Sequence, residues 1–189
     1  MGISVATGFK TTRKGISASL DAGERELLRS LFADVLTMLE PDTPADEDPL
    51  AAMVGLDATA RQPQDSALLR LLPDGVAGDD DESLEFRRLT ERSLREDKTG
   101  ALRAAALLLE SKPLLLNSEQ ARYFARALND VRLVLADRLG LETDADAERL
   151  HDITDPSKAQ DVDDYLALVY NFVTWLQETL MQAMLKDLL

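Results

Sequence analysis

The chain has no cysteine and one histidine, His151, and these shortages exclude more chemistry than any motif suggests. Without cysteine there is no disulfide framework, no thiol nucleophile and no thiol redox switch. With one histidine, a multi-histidine metal centre is ruled out, and a Ser–His–Asp site would rest on His151 alone. Phosphate-binding loops are missing too: neither GxGxxG nor GxxxxGK(S/T) occurs. No run of about 18 apolar residues exists, so no membrane-spanning helix is expected. The opening MGISVATGFKTTRKG lacks the apolar stretch and cleavage site of a signal peptide. The expected location is the cytoplasm.

What the chain does have is acid. Thirty-five acidic residues face 21 lysines and arginines in 189 residues, a net charge of −14. Apolar residues make up 45%, enough for a packed core in one domain. The charge is unevenly placed: residues 40–82 carry twelve acids against Arg61 and Arg70, whereas residues 83–139 carry eleven bases against eight acids. Residues 140–164 return to nine acids against two bases. Such a field repels a polyanion and speaks against unaided duplex DNA binding. Acidic, solvated connections around a packed core are the plain reading; an acidic surface recruiting a basic partner is the sharper one.

Hydrophobic spacing predicts a mainly α fold: a bundle of about four long helices, with short extra helices and minor β-structure near the N-terminus. Residues 9–20 read as two short strands or an extended arm turning at Lys14-Gly15. Asp21-Ala22-Gly23-Glu24 has capping-box spacing, and Leu27, Leu28, Leu31, Phe32, Val35 and Leu39 follow at helical intervals until Pro41. Residues 41–82 form an acidic, loop-rich connection, with short helices expected after Asp48 and Asp65. Asp79 to Glu82 suit the positive end of the next helix, which Gly100 breaks before it resumes towards Ser111. Leu114-Leu115-Leu116 is an extended apolar run that could pair with the N-terminal strands. Asn117 or Ser118 then caps the most regular helix, which Gly140 stops. The last helix, from Val162, is the most apolar and reads as the central element of the bundle.

Arg132 is the first candidate site residue. At about 100° per residue it falls about 40° from Leu128, inside the stripe that faces the core. A guanidinium there must be paired or snorkel, and Glu178 and Glu91 are the candidate partners. A structural salt bridge outweighs an anion pocket as its meaning. Arg87, Arg88, Arg92 and Arg95 form a candidate basic face, extended by Lys10, Arg13 and Lys14 in the N-terminal arm. However, Glu85–Arg88 and Glu91–Arg95 have the spacing of local ion pairs. Glu148-x-x-His151 has di-iron ligand spacing, yet a surface histidine is the simpler meaning. Tyr165, Tyr170, Phe172 and Trp175, with Met181 and Met184, cluster on the last helix; core packing is the usual reason, a dimer seam or docking groove the alternative. No catalytic, cofactor-binding or metal residue can be assigned.

Five segments carry a likeness to a known family: ERELLRSLFADVLTML, RLLPDG, EFRRLTERSLREDK, LNSEQARYFARALNDVRLVLADRLG and YNFVTWLQETLMQAM. In that order they resemble a bacterial family known as domain of unknown function number two-zero-one-seven, over most of the chain. Arg70-Leu71-Leu72-Pro73-Asp74, Arg88-Leu89-Thr90-Glu91 and Asn129-Asp130-Val131-Arg132-Leu133 carry the specificity. The resemblance implies a small cytoplasmic protein often encoded beside the ClpS adaptor and a JAB-type metallopeptidase. Some members are labelled transcriptional regulators with a redox cysteine pair, a switch this chain cannot operate.

The reading is a non-catalytic interaction or regulatory protein that needs no cofactor and binds a protein partner. A transcription regulator acting at DNA directly or through the transcription machinery is the alternative, and a carboxylate metalloenzyme the third. A homodimer is compatible with it; a membrane partner is not expected.

Overall fold

A computed structural model describes residues 7–40, 61–75, 80–143, 145–146, 150, 159 and 161–187. The chain begins with a hairpin, β1 (Thr7–Thr12) and β2 (Gly15–Ser19), turning at Arg13-Lys14. β3 (Leu114–Leu116) joins β2 antiparallel, Ile16 opposite Leu116 and Ala18 opposite Leu114, giving the order β1-β2-β3. The expected strands and their pairing with the Leu114 run are therefore present. Gly15 is required where it sits. Its φ is +126°, and a Cβ there would lie 2.5 Å from the Leu116 carbonyl oxygen.

Three of the helices begin where the sequence supplies an acceptor for orphan N–H groups. In α1 (Ala22–Met38), Asp21 accepts from the Glu24 N–H while Glu24 accepts from the Asp21 N–H. Asp65 caps α2 (Ser66–Leu71) by accepting from Ala67 and Leu68. α3 (Asp80–Leu108) is followed by β3, and α4 (Ser118–Arg138) opens on the reciprocal Asn117–Gln120 box. Gly140, with φ +64°, sits just past its end. α5 (Val162–Asp187) is the last element.

The fold is mainly α, as the spacing predicts. Its core centres on Phe124 of α4, whose ring meets Phe9 of β1 edge-on at 5.6 Å and Phe32 of α1 at 5.9 Å. One buried aromatic thus joins sheet, first helix and fourth helix, an arrangement favoured by ring quadrupoles. α4 packs on α1, α2, α3, α5 and the sheet, so it is the central helix. α5 lies at the side, on α4 and the hairpin. The Phe9 N–H donates to Thr179 Oγ1 (3.1 Å) and Thr11 Oγ1 donates to the Ala183 carbonyl (2.8 Å), which covers the outer edge of β1.

Two expectations are corrected. α3 runs unbroken through Gly100, where a Cβ would meet nothing within 4 Å; one glycine costs a helix only about 1 kcal/mol, which the packing of Ala101, Leu102 and Ala105 overrides. α5, although the most apolar helix, is not central: Val162, Tyr165, Trp175, Met181 and Leu185 are exposed. The helix expected after Asp48 lies outside the described residues, as do Glu148 and His151.

Candidate functional site

Two buried charges, Arg87 and Glu91, sit one turn apart in the N-terminal half of α3. Arg87 has a side chain 4% exposed, and its guanidinium meets Glu91 Oε2 at 2.6 Å and Asp74 Oδ1 at 2.7 Å. It also donates to the Leu72 carbonyl at 3.1 Å. Glu91, on the same face one turn later, gives its second oxygen to Arg95 at 2.7 Å. Arg95 in turn donates to the Leu39 carbonyl, which lies at the C-terminus of α1. Burial alone would make Arg87 easier to deprotonate, but its bonds to Glu91 and Asp74 overcome this and raise its pKa. The network ties α1, the segment after α2, and α3 together through alternating charges.

This geometry overturns two site readings. Arg132 is half-buried and makes no ion pair among the described residues, and Glu178 is exposed on α5. Glu91, its other expected partner, has both carboxylate oxygens engaged by arginines of its own helix. Arg132 therefore lies at the margin of the stripe, where a long aliphatic stem can cover apolar surface while the head reaches water. The basic face fares likewise. Arg87 and Arg95 belong to the network, Arg88 pairs with Glu85 at 3.4 Å, and Arg92 is half-buried with a partner of its own. Of the cations behind the nucleic-acid reading, Lys10, Arg13 and Lys14 at the hairpin stay exposed.

The buried charged residue of α4 is Asp130, not Arg132. It is 2% exposed and accepts from Lys98 Nζ of α3 at 2.6 Å. Burial raises its pKa, while the bond to Lys98 and the nearby Arg126 work in the opposite sense. The pair lies in a groove of about 400 Å³ between α3, α4 and α5. Sequence reasoning missed Asp130 because its partner lies on another helix. A contact across 32 residues leaves no trace in the spacing of one sequence.

A third feature is the outer side of α5. Tyr165 is 55% and Trp175 37% exposed, and the Phe172 ring lies tilted against Trp175 with centroids 6.2 Å apart. Tyr170, from the same cluster, is buried instead. Elsewhere Arg25, also buried, donates to the carbonyls of Leu20, Leu109 and Ser111 and so caps the end of α3. Among the described residues no three His, Asp or Glu side chains are placed to hold a metal ion. No helix there is long and apolar enough to cross a membrane.

A family model described as "Domain of unknown function (DUF2017)" matches residues 6–184. The chain belongs to that family. No curated protein and no solved structure matches it. The three short segments that carry the DUF2017 likeness fall in the charge network and in the groove. From the first, Leu72 and Asp74 receive Arg87, while Arg70 pairs with Asp137 at 3.0 Å and donates to the Leu141 carbonyl. The second supplies Glu91 to the same network. The third supplies Asn129 and Asp130 to the groove.

Proposed function

We propose that this DUF2017 member is a non-catalytic interaction or regulatory protein that binds a protein partner through the outer face of α5. The observation that carries the reading is the exposure of Tyr165 and Trp175 on one side of that helix, with the Phe172 ring tilted against Trp175. Residues 165, 172 and 175 fall within about 80° of one another around the helix. Tyrosine and tryptophan are the residues most enriched where proteins recognise proteins, because each offers a large rigid apolar body with a polar handle. The charged groups of the network also support it, since Arg87, Glu91 and Arg95 are already bonded to one another and to helix ends.

The chemistry of the partner follows from charge. Asp161 is exposed on the side of the aromatic face and Glu178 beside it, and the chain carries −14 overall. A second copy would bring the same acids against themselves, whereas an apolar segment flanked by lysine or arginine meets complementary charge. A photo-crosslinking residue in place of Trp175 is expected to capture one adduct of discrete mass in the producing cells. The same residue in place of Arg103, exposed on α3, is expected to capture none. No adduct at 175, or the same adduct at both positions, would contradict the reading. Regulation at DNA is the second reading, and it retains the exposed cations of the hairpin; a mobility shift of duplex DNA at low salt that fades steeply as salt is added would favour it.

A further inference from the structure

The outer face of the N-terminal sheet gathers cations in a chain that carries −14 overall. Phe9, Ile16, Ala18, Leu114 and Leu116 are buried in the core, so the alternate residues of each strand face outward. Lys10 of β1 stands opposite Ser17 of β2, and Ser17 opposite Leu115 of β3. Lys10, Ser17, Ser19 and Lys112 line a cleft of about 480 Å³ that is bounded on another side by the start of α1. Both lysines are exposed, and neither makes an ion pair among the described residues. Alone, they would be ordinary solvated charges.

Arg25 makes the cleft more than a solvated patch. It is 5% exposed, and its Nε and Nη1 are committed to the carbonyls of Leu20, Leu109 and Ser111. Its Nη2 makes no bond among the described residues. Nor is Nη2 one of the unpartnered side-chain atoms cut off from solvent, which lie on Arg88, Thr174 and Gln177. Arg25 lines the cleft, so a buried guanidinium fixed by three carbonyls presents a spare N–H edge to it. Such a donor bonds most strongly to an anionic acceptor. Asp21 is the one acid that lines the cleft, and its carboxylate is held in the capping box of α1 with Glu24. Three cations against it favour an anion, and a phosphate dianion over a carboxylate. The cleft is also larger than inorganic phosphate fills and has the size of small-molecule sites. We propose that it binds a small organic phosphate monoester. The phosphoryl oxygens accept from Lys10, Lys112 and Arg25 Nη2, and the organic part lies among Ser17, Ser19 and Pro113. None of these residues belongs to the aromatic face of α5, so the cleft and that face can be tested separately.

The test is the thermal unfolding of the full chain at pH 8, where the ester is a dianion. Glucose 6-phosphate, inorganic phosphate or glucose is added at equal millimolar concentration, with ionic strength held constant by sodium chloride. Glucose 6-phosphate is expected to raise the midpoint by linkage. Inorganic phosphate is expected to need about tenfold more for the same rise, and glucose to leave the midpoint unmoved. Lys10→Gln/Lys112→Gln, at two exposed positions, is expected to fold as the wild type does and to weaken the response about tenfold or more. Arg13→Gln/Lys14→Gln removes two charges at the hairpin turn, outside the cleft, and is expected to keep the response. No rise with glucose 6-phosphate, an equal rise with glucose, an undiminished response in Lys10→Gln/Lys112→Gln, or an equal loss in both double variants would overturn the proposal. A rise with inorganic phosphate as large as with the ester would overturn the assignment to an ester.

Discussion

Arg87 and Arg132 illustrate how little a charged residue's place in a helical pattern says about its role. Arg87 reads as part of an exposed basic face, yet it is buried and bonded to Glu91, Asp74 and the Leu72 carbonyl. Arg132 reads as buried, yet it is half-exposed and unpaired among the described residues. Removing Arg87 strips a buried donor from Glu91, Asp74 and the Leu72 carbonyl at once, so Arg87→Met is expected to lower unfolding free energy by about 3 kcal/mol. Arg132→Met is expected to change it by no more than about 0.5 kcal/mol. Chemical denaturation of the two variants checks both, and a reversed order would refute the assignment.

Asp130 gives a pH prediction at the same scale. Burial raises its pKa from the usual 3.8, so its carboxyl is harder to ionise in the fold than in the unfolded chain. Such a group favours folding while it is protonated, and that contribution fades as pH rises from 3.8 through the folded pKa. Asp130→Asn lacks this decline. The stability of wild type minus that of the variant is therefore expected to fall with rising pH across that window; a difference that rises would contradict the burial. Asp65 acts in the opposite direction. Arg138 and the α2 N–H groups lower its pKa, so its contribution is present above 3.8 and lost as the solution is acidified.

At the scale of elements, local signals were largely legible and long-range ones were not. The capping box at Asp21, the cap at Asp65, the Asn117 start and the strand-turn-strand around Gly15 all rest on chemistry within a few residues, and each is present. Gly100 shows the limit. Glycine lowers helix propensity, but packing on either side decides the outcome, and no single-residue signal reports packing. Gly100 and Gly15 consequently respond in opposite ways to one methyl group. Gly100→Ala is expected to stabilise the chain by about 0.5–1 kcal/mol, since the helix interior is open there. Gly15→Ala is expected to destabilise it by more than about 1 kcal/mol, because φ is positive and the Leu116 carbonyl blocks the Cβ. Thermal melts of the two variants moving the same way would show the hairpin geometry to be wrong.

Across the whole molecule, the sequence pointed to the class of fold but not to which helix is central. High apolar content suggested α5; the central helix is α4, which also buries Asp130. The excess apolar surface of α5 is instead displayed, and that is why the candidate sites were only partly legible. A core aromatic and a displayed one look identical until the neighbours are known, as Tyr170 and Tyr165 show. The groove was illegible for a related reason: its residues come from three helices far apart in the chain.

The central claim is that the aromatic face of α5 serves recognition and not the stability of the fold. The most direct measurement is the unfolding free energy of the double variant Tyr165→Ser/Trp175→Ser, followed by circular dichroism and set beside Phe124→Ala. Phe124→Ala is expected to cost about 3–5 kcal/mol, and the double variant about 1 kcal/mol or less. A loss in the double variant comparable to that of Phe124→Ala would mean that these aromatics hold the fold together, and the account would fail.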